Sequence, residues 1–446
     1  MRFYLNKLTV NGVKNISKPL EFLFCNKTIT DNFENNDCNV KAIYGPNGCG
    51  KSAIVSALYI YKRLVEDNNR NGLSDGIFSR FVYDSINRAT KAMSIDIVFT
   101  VIDFPKDHKD HYFRHHIEIS VEENIPSITL EEISILKGKS IADSNFKSII
   151  RSEKGKIVSL LNKTNFEKEP IYLSTLNLLS KHVFSCSVFN ANDFLKNDEE
   201  IINAVLLTYR FASSLIVVLN DSDIHYEYII DRSDSYIYQK NPLHEPAIIS
   251  KNEREPFEFF TRNQDVIKIE DYPLYEDNVR KLKEFIKIFK PDLDDIIIDK
   301  KINGDRYHCD KIFCYGENKI NVEFESTGIK KLVRLYSALK ICANGGITFI
   351  DEMDSNLHDV YFTKLIEFFK NDSKGQLCFT THNLEPINLL KDKAHSLDFV
   401  SDDSRVYSWK KDGNNSPMSK YVHGLIPYSP FNVESFFFDV LFDEDK

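Results

Sequence analysis

The sequence predicts an α/β protein: a parallel core sheet flanked by helices, an antiparallel β meander beside it, and a compact mixed α/β insertion lobe. Three observations predict this. The apolar run Val40-Lys41-Ala42-Ile43-Tyr44 leads directly into Gly45-Pro46-Asn47-Gly48-Cys49-Gly50-Lys51-Ser52 and then into an apolar helical stretch at 53–61. Strand-like stretches at 93–104, 112–121 and 128–136 are joined by short polar turns, as in a meander. The final third alternates helix and strand in short units.

In chain order, Phe3, Leu5, Leu8 and Val10 alternate as in a strand, which turns at Asn11-Gly12 into a second extended piece at 20–24. A polar run at 31–39 precedes the strand before the glycine-rich loop. That loop is G-x-x-x-x-G-K-S between a strand and a helix, the arrangement that cradles phosphate. Gly45 and Gly50 let the backbone bend so that successive N–H groups point inward, with Pro46, Asn47, Gly48 and Cys49 completing the cradle. Lys51 supplies a point charge for the β- and γ-phosphates, Ser52 a hydroxyl for Mg2+, and the helix N-terminus further positive potential. The expected ligands are therefore a nucleoside triphosphate and Mg2+.

Beyond the meander the pattern weakens between 140 and 275. A helix is expected near 197–212, a strand at 214–219, and a mixed polar stretch to 270. An amphipathic helix follows at 276–287, with Val279, Leu282, Phe285 and Ile286 on one side, and strands at 296–298 and 311–315. No segment sustains a heptad, so the insertion is expected to be a compact lobe rather than a coiled-coil arm. The expected organisation is residues 1–139 and 276–446 as two halves of one head, separated by an insertion at 140–275.

Four downstream elements bear on the phosphate loop. Gly346-Ile347-Thr348-Phe349-Ile350 is an apolar strand ending in Asp351-Glu352; the first acid suits Mg2+ and the second suits polarising an attacking water. The strand Gln376-Leu377-Cys378-Phe379-Thr380 runs through Thr381 to His382, placed to donate a hydrogen bond to the γ-phosphate or the water. Glu325-Ser326-Thr327-Gly328 opens a helix to about Cys342, readable as an N-cap or as a second anion site. Met353-Asp354-Ser355-Asn356-Leu357-His358 follows the acids directly.

This set, in this order, resembles the ATP-binding-cassette ATPases of the SMC and RecF type, over residues 1–60 and about 320–390. The resemblance implies an ABC-type ATPase head in which Gly45–Ser52 is the Walker A loop, Ser326-Thr327-Gly328 the signature, Asp351-Glu352 the Walker B pair, Asp354 to His358 the D-loop, and His382 the switch histidine. By the same resemblance Lys51, Glu352 and His382 are catalytic, Ser52 and Asp351 serve the metal, and Asp354 lies in the nucleotide site. Such proteins bind two ATP molecules between head-to-tail subunits, so Ser326 and Gly328 would contact the partner's nucleotide in trans. The single-glycine signature, Glu-Ser-x-Gly-x-x-x-Leu, looks more like the OLD-like, AbiLi-like and AriA-like abortive-infection ATPases, as do Asp-Glu-x-Asp-Ser-x-Leu-His and Tyr421-Val422-His423-Gly424-Leu425-Ile426-Pro427. The resemblance implies a homodimer or higher homo-oligomer that acts as sensor or scaffold for a separately encoded effector, a nuclease or toxin, in antiphage defence. The rival is a DNA-stimulated repair ATPase of the RecF type, which leaves a nucleic-acid partner open.

Composition is ordinary for a globular chain of 446 residues, 42% hydrophobic and 28% charged; the net charge of −9 does not advertise nucleic-acid binding. No apolar stretch reaches the roughly 20 residues that cross a bilayer, and the N-terminus lacks the pattern of a secretory signal. With its eight cysteines scattered, one of them in the phosphate loop, the chain is expected to be cytoplasmic, without membrane contact. The 64 residues after His382 are expected to be too few for an appended nuclease domain. Asn220-Asp221-Ser222-Asp223 reads as an acidic turn after a strand rather than a metal site. His108 and His111 read as a solvated hairpin, His115 and His116 as opposite faces of one strand, and His308, Cys309 and Cys314 as lacking zinc spacing. No glutamine presents itself as the Q-loop residue; Asn190 and Asn192 occupy the region where one is expected.

Overall fold

The computed structural model describes residues 2–29, 38–66, 72–104, 107–161, 178–184, 199–220, 264–410 and 416–426. Strand β1 (Arg2–Asn11) turns into β2 (Leu20–Leu23), and β3 (Val40–Tyr44) leads through the phosphate loop into α1 (Lys51–Glu66). Helix α2 (Gly76–Ser85) precedes the meander β4 (Ala92–Phe104), β5 (Lys109–Glu122), β6 (Ile125–Leu136), β7 (Phe146–Glu153) and β8 (Lys156–Leu160). Next come α3 (Glu199–Ser214), β9 (Leu215–Val218), β10 (Asp265–Lys268), α4 (Tyr272–Phe289), β11 (Asp295–Asn303), β12 (Arg306–Tyr315) and β13 (Asn318–Asn321). The chain continues through α5 (Thr327–Ala343), β14 (Ile347–Ile350), α6 (Asp359–Asp372), β15 (Gln376–Thr380), α7 (Glu385–Leu390), β16 (Leu397–Val400), β17 (Val406–Ser408) and α8 (Pro417–Val422).

These strands form three sheets. One is antiparallel and seven-stranded, in the order β2-β1-β4-β5-β6-β7-β8. The core sheet has six strands in the order β17-β16-β3-β15-β14-β9, parallel throughout except for β17 at one edge. A four-stranded antiparallel sheet places β12 between β11 on one side and β10 and β13 on the other. The architecture is thus α/β, with the expected meander and parallel core both present.

Helix α1 carries apolar residues on nearly every face because it is enclosed between the meander and the core sheet. Ala53, Ile54, Val55, Ala57, Leu58, Ile60, Tyr61, Leu64 and Val65 are all buried there. The two sheets are also tied through polar atoms. Beside a register shift in β1, the Leu5 N–H donates to the Gln376 side chain (2.7 Å), and the same side chain donates back to the Leu5 carbonyl (3.0 Å). A buried amide with both ends paired fixes how the core sheet sits under β1.

All five residues of β3 are buried, as a central parallel strand requires, and one of them is Lys41. Its ammonium pairs with Asp398 on β16, the two side chains being 1% and 0% exposed. Burial works to lower the Lys41 pKa, but the Asp398 carboxylate more than offsets it and holds the value above the ordinary lysine range. Removing one partner strands a buried charge. Asp398→Ala is therefore expected to destabilise the fold by about 3–5 kcal/mol, measured as a lowered urea midpoint; an unchanged midpoint would show that water reaches Lys41.

The described parts of 140–275 differ from the expected boundaries. Strands β7 and β8 extend the meander sheet, α3 packs on α1, β9 forms an edge of the core sheet, and β10 pairs with β12. Hydrogen bonding to neighbours distant in sequence decides these memberships, and a single strand's pattern does not reveal it. The stretches 162–177, 185–198 and 221–263, where much of the expected insertion falls, lie outside the described residues. Among the described residues no helix is long and apolar enough to cross a membrane.

Candidate nucleotide site

Because β3, β15, β14 and β9 are parallel neighbours, the segments after them meet at one edge of the sheet. Those segments are 45–52, 381–383, 351–358 and 219–220. Parallel α/β sheets place ligands at this edge, since strand ends and helix N-termini converge there.

The phosphate loop takes the conformation its glycines permit. Gly45, Gly48 and Gly50 have φ of +157°, +81° and +106°. A Cβ on Gly45 would stand 2.4 Å from the Val400 carbonyl oxygen, and one on Gly50 would stand 2.8 Å from Ile16. The turn after β1 braces the loop from outside, with the Asn15 amide donating to the Gly48 carbonyl. Lys51 donates to the carbonyls of Gly45 (2.8 Å) and Pro46 (2.9 Å), which holds its ammonium at the mouth of the loop. Burial lowers its pKa, against the opposing pull of Cys49, Asp351, Glu352 and Asp354. The Cys49 thiol is raised by burial and so stays protonated. Asn47 and Gly48 are exposed at the tip, and Ser52 stands in the first turn of α1.

Asp351, at the end of β14, is only 2% exposed. Its Oδ1 accepts from the Thr380 hydroxyl (2.6 Å), while Oδ2 is buried without a hydrogen-bond partner among the described residues. An unpaired buried carboxylate oxygen is costly unless a cation or donor meets it. With the Ser52 hydroxyl it makes the hard-oxygen donor set that suits Mg2+. The residues present therefore fit the metal expected from the sequence.

Glu352 has φ of +44°, a left-handed conformation that a non-glycine residue holds only when its surroundings impose it. Those surroundings are specific. Its N–H donates to the Thr380 hydroxyl (2.7 Å), its carbonyl accepts from Lys331 (2.5 Å), and its Oε2 accepts from the Asn220 amide (2.6 Å). On the neighbouring strand the His382 N–H donates to Asp354 Oδ2 (3.3 Å), and Asp354 Oδ1 is buried without a partner among the described residues. Partial desolvation, then the Lys51 charge, hold the His382 pKa below its ordinary value, which favours the neutral ring.

Ser326 is the N-cap of α5: its hydroxyl accepts from the Ile329 N–H at 3.4 Å, and the residue is exposed. Gly328 lies against the loop after β14, where a Cβ would come within 2.7 Å of the Asn356 carbonyl oxygen. Lys331 on the same helix also donates to the Ser355 hydroxyl. Burial lowers its pKa to about 8, despite the raising influence of Asp354, Glu352 and Asp351. Between α5 and the ends of β9 and β14 lies a cavity of about 350 Å³, lined by Asn220, Asp351, Ser355, Thr327, Lys331 and Arg334 among others.

One sheet edge thus gathers Lys51, Ser52, Asp351, Glu352, Asp354 and His382, and leaves Ser326 outward-facing on the adjoining helix. Sequence reasoning missed three residues that act on this group. Thr380 bridges the two acids; its signal was a hydroxyl at the end of the strand before His382. Asn220 holds the Glu352 carboxylate; its signal was a polar residue ending an apolar strand, but only strand order shows that β9 neighbours β14. Lys331 had no signal in the sequence, since helix packing alone brings it to Glu352. Asn190 and Asn192 lie outside the described residues. Of the histidines near 110, His108 and His111 are paired with aspartates of their own hairpin. His115 is instead fully buried, bonded to Tyr61 (3.0 Å) and Glu131 (3.1 Å).

The late stretch singled out in the sequence also packs beside the site. Tyr421 of α8 contacts the rings of Tyr44 (5.9 Å) and Phe399 (5.0 Å), so α8 covers the end of the strand that feeds the phosphate loop.

Three solved structures resemble the chain at low identity. They are an SMC head bound to the C-winged helix domain of ScpA (15% identity, 91% of this chain and 98% of that one, TM-score 0.41), an Smc head domain with an extended coiled coil bound to the C-terminal domain of ScpA, derived from Pyrococcus furiosus (14%, 92% and 96%, 0.41), and the SMC head domain from Thermotoga maritima (14%, 92% and 100%, 0.33). No curated protein sequence matches the chain significantly. The sequence profile described as "AAA domain, putative AbiEii toxin, Type IV TA system" matches residues 41–388, from the strand before the phosphate loop to beyond His382. The chain therefore belongs to that AAA-domain family.

Proposed function

We propose that this chain binds and hydrolyses ATP with Mg2+, dimerises head-to-tail around two nucleotides, and acts as sensor or scaffold for a separate effector in antiphage defence of the AbiLi-like kind. Lys51 and the loop N–H groups bind the β- and γ-phosphates. The Ser52 hydroxyl and Asp351 would hold the metal, which when bound supplies charge neutralisation for the phosphates. Glu352 orients and deprotonates the attacking water, and His382 donates to the γ-phosphate. In the single chain the Glu352 carboxylate is engaged by Asn220, so turnover requires it to swing toward the loop. A slow, assembly-gated ATPase follows from that restraint.

One observation carries the proposal. Every residue needed on the Walker side stands at one sheet edge, while Ser326 is exposed on a helix tied to the loop carrying Glu352. A nucleotide held by a second copy is the ligand that such an outward anion site suits. The defence setting draws support from the family description, which names a toxin and a type IV toxin–antitoxin system. Two measurements test the proposal together. Steady-state phosphate release is expected to be slow and insensitive to DNA, and gel filtration is expected to show a dimer or larger assembly with ATP-Mg. An unchanged monomer would overturn the sandwich. Stimulation by DNA that falls steeply with salt would replace the defence reading with the DNA-repair one.

A further inference from the structure

Lys331 lies five residues after Ser326, on the first turns of α5, and among the described residues its ammonium bonds to the loop after β14 alone. Its ammonium donates to the Glu352 carbonyl and the Ser355 hydroxyl, and it forms no ion pair with a carboxylate among the described residues. One turn earlier, Gly328 lets α5 approach the Asn356 carbonyl closely. Glu352 and Asn356 both hold left-handed φ, +44° and +61°, so the segment is constrained at both ends where α5 touches it. One turn later, Arg334 donates to the Leu219 carbonyl (2.7 Å). Leu219 precedes Asn220, whose amide holds the Glu352 carboxylate. Helix α5 therefore contacts both the backbone of Glu352 and the strand end that aims its side chain.

We propose that Lys331 is a positioning residue: it conveys the seating of Ser326 on the partner's nucleotide to the backbone of Glu352, so that water is activated only in the closed dimer. This rests on the head-to-tail reading above. A movement of α5 is carried rigidly, because a helix transmits displacement along its length and both Lys331 bonds end on the 352–355 segment. Glu352 sits at a strained φ, so a small shift of its carbonyl re-aims the carboxylate. Catalytic groups are sensitive to displacement on this scale, about 100-fold in rate for about 1 Å.

The test compares Lys331→Met and Lys331→Arg with the wild-type chain at several protein concentrations. Wild-type rate per chain is expected to rise with concentration as dimer forms. Lys331→Met is expected to bind a fluorescent ATP analogue, and to dimerise in a Glu352→Gln background, within about threefold of the wild type. Its kcat should fall about 10- to 100-fold and stay flat with concentration. Lys331→Arg should restore kcat to within about threefold, because both hydrogen bonds are within reach of a guanidinium. A merely structural lysine would instead lower binding, dimerisation and rate together, and that result overturns the proposal. So does a Lys331→Met kcat within about twofold of a normal wild type. A wild-type rate independent of protein concentration overturns the dimer reading, and this inference with it.

Discussion

Glu352→Gln is expected to bind ATP-Mg as tightly as the wild-type chain, hydrolyse it at least about 100-fold more slowly, and accumulate as an ATP-bound dimer. The substitution removes the proton acceptor and nothing else of size. A glutamine side-chain oxygen still accepts from the Asn220 amide, the bond that holds Glu352 Oε2 at 2.6 Å. The backbone bonds to Thr380 and Lys331 are untouched, so the left-handed turn should persist. Loss of a positioned general base costs about 10²–10⁴ in rate. With turnover stopped, the closed state has no exit through product release, and its population rises. Single-turnover hydrolysis of radiolabelled ATP reads the first effect, and light scattering after gel filtration reads the second. Turnover within about threefold of the wild type would assign the proton transfer to another group.

Lys51→Ala is expected to lose ATP affinity by at least about 100-fold while remaining folded. Lys51 is the charged group at the mouth of the loop, held by the carbonyls of Gly45 and Pro46. Each hydrogen bond from a charged group to phosphate contributes about 1.5–3 kcal/mol, and the lysine serves two phosphates. In the variant the freed carbonyls border the volume that the lysine side chain vacates, where water is expected to replace the ammonium, so the cost to the fold is expected to be small. Thermal melts separate the two effects. At a nucleotide concentration of about 100 times the wild-type Kd the wild type gains about 2.7 kcal/mol, and the variant at that concentration should gain no more than about 0.4 kcal/mol. A stabilisation equal to the wild type's would place the phosphates elsewhere.

Much of the fold was legible because its elements carry strong local periodicity. The meander strands at 93–104, 112–121 and 128–136 correspond to β4, β5 and β6, and the amphipathic helix at 276–287 lies within α4. The strand and helix expected near 197–219 are α3 and β9. Sheet membership was legible for the meander strands β4–β6 and for the core strands β3, β14 and β15, but not for β7, β8, β9 and β10. Strands β7 and β8 carry ordinary strand patterns, and only their hydrogen bonds show that they extend the meander beyond residue 139. Lys41 and Asp398 behave similarly: each looks like a solvated charge in sequence, yet strand pairing buries them against one another across 357 residues.

The sequence by itself determined which residue types are available at the proposed site. In the proposed mechanism Gly45–Ser52, Asp351-Glu352 and His382 serve in that order as phosphate loop, metal-directed acid, base and polar donor, because each role demands a residue type next to a strand end. The tertiary structure alone decided which residues restrain that chemistry. Strand order brought Asn220 to the carboxylate of Glu352, and the packing of α5 brought Lys331 to its carbonyl. The physical reason is the range of the interactions. Phosphate binding depends on a contiguous turn whose geometry is encoded within eight residues. The aim of Glu352 depends on hydrogen bonds from a neighbouring strand and a packed helix, whose positions are set by the burial of the whole sheet.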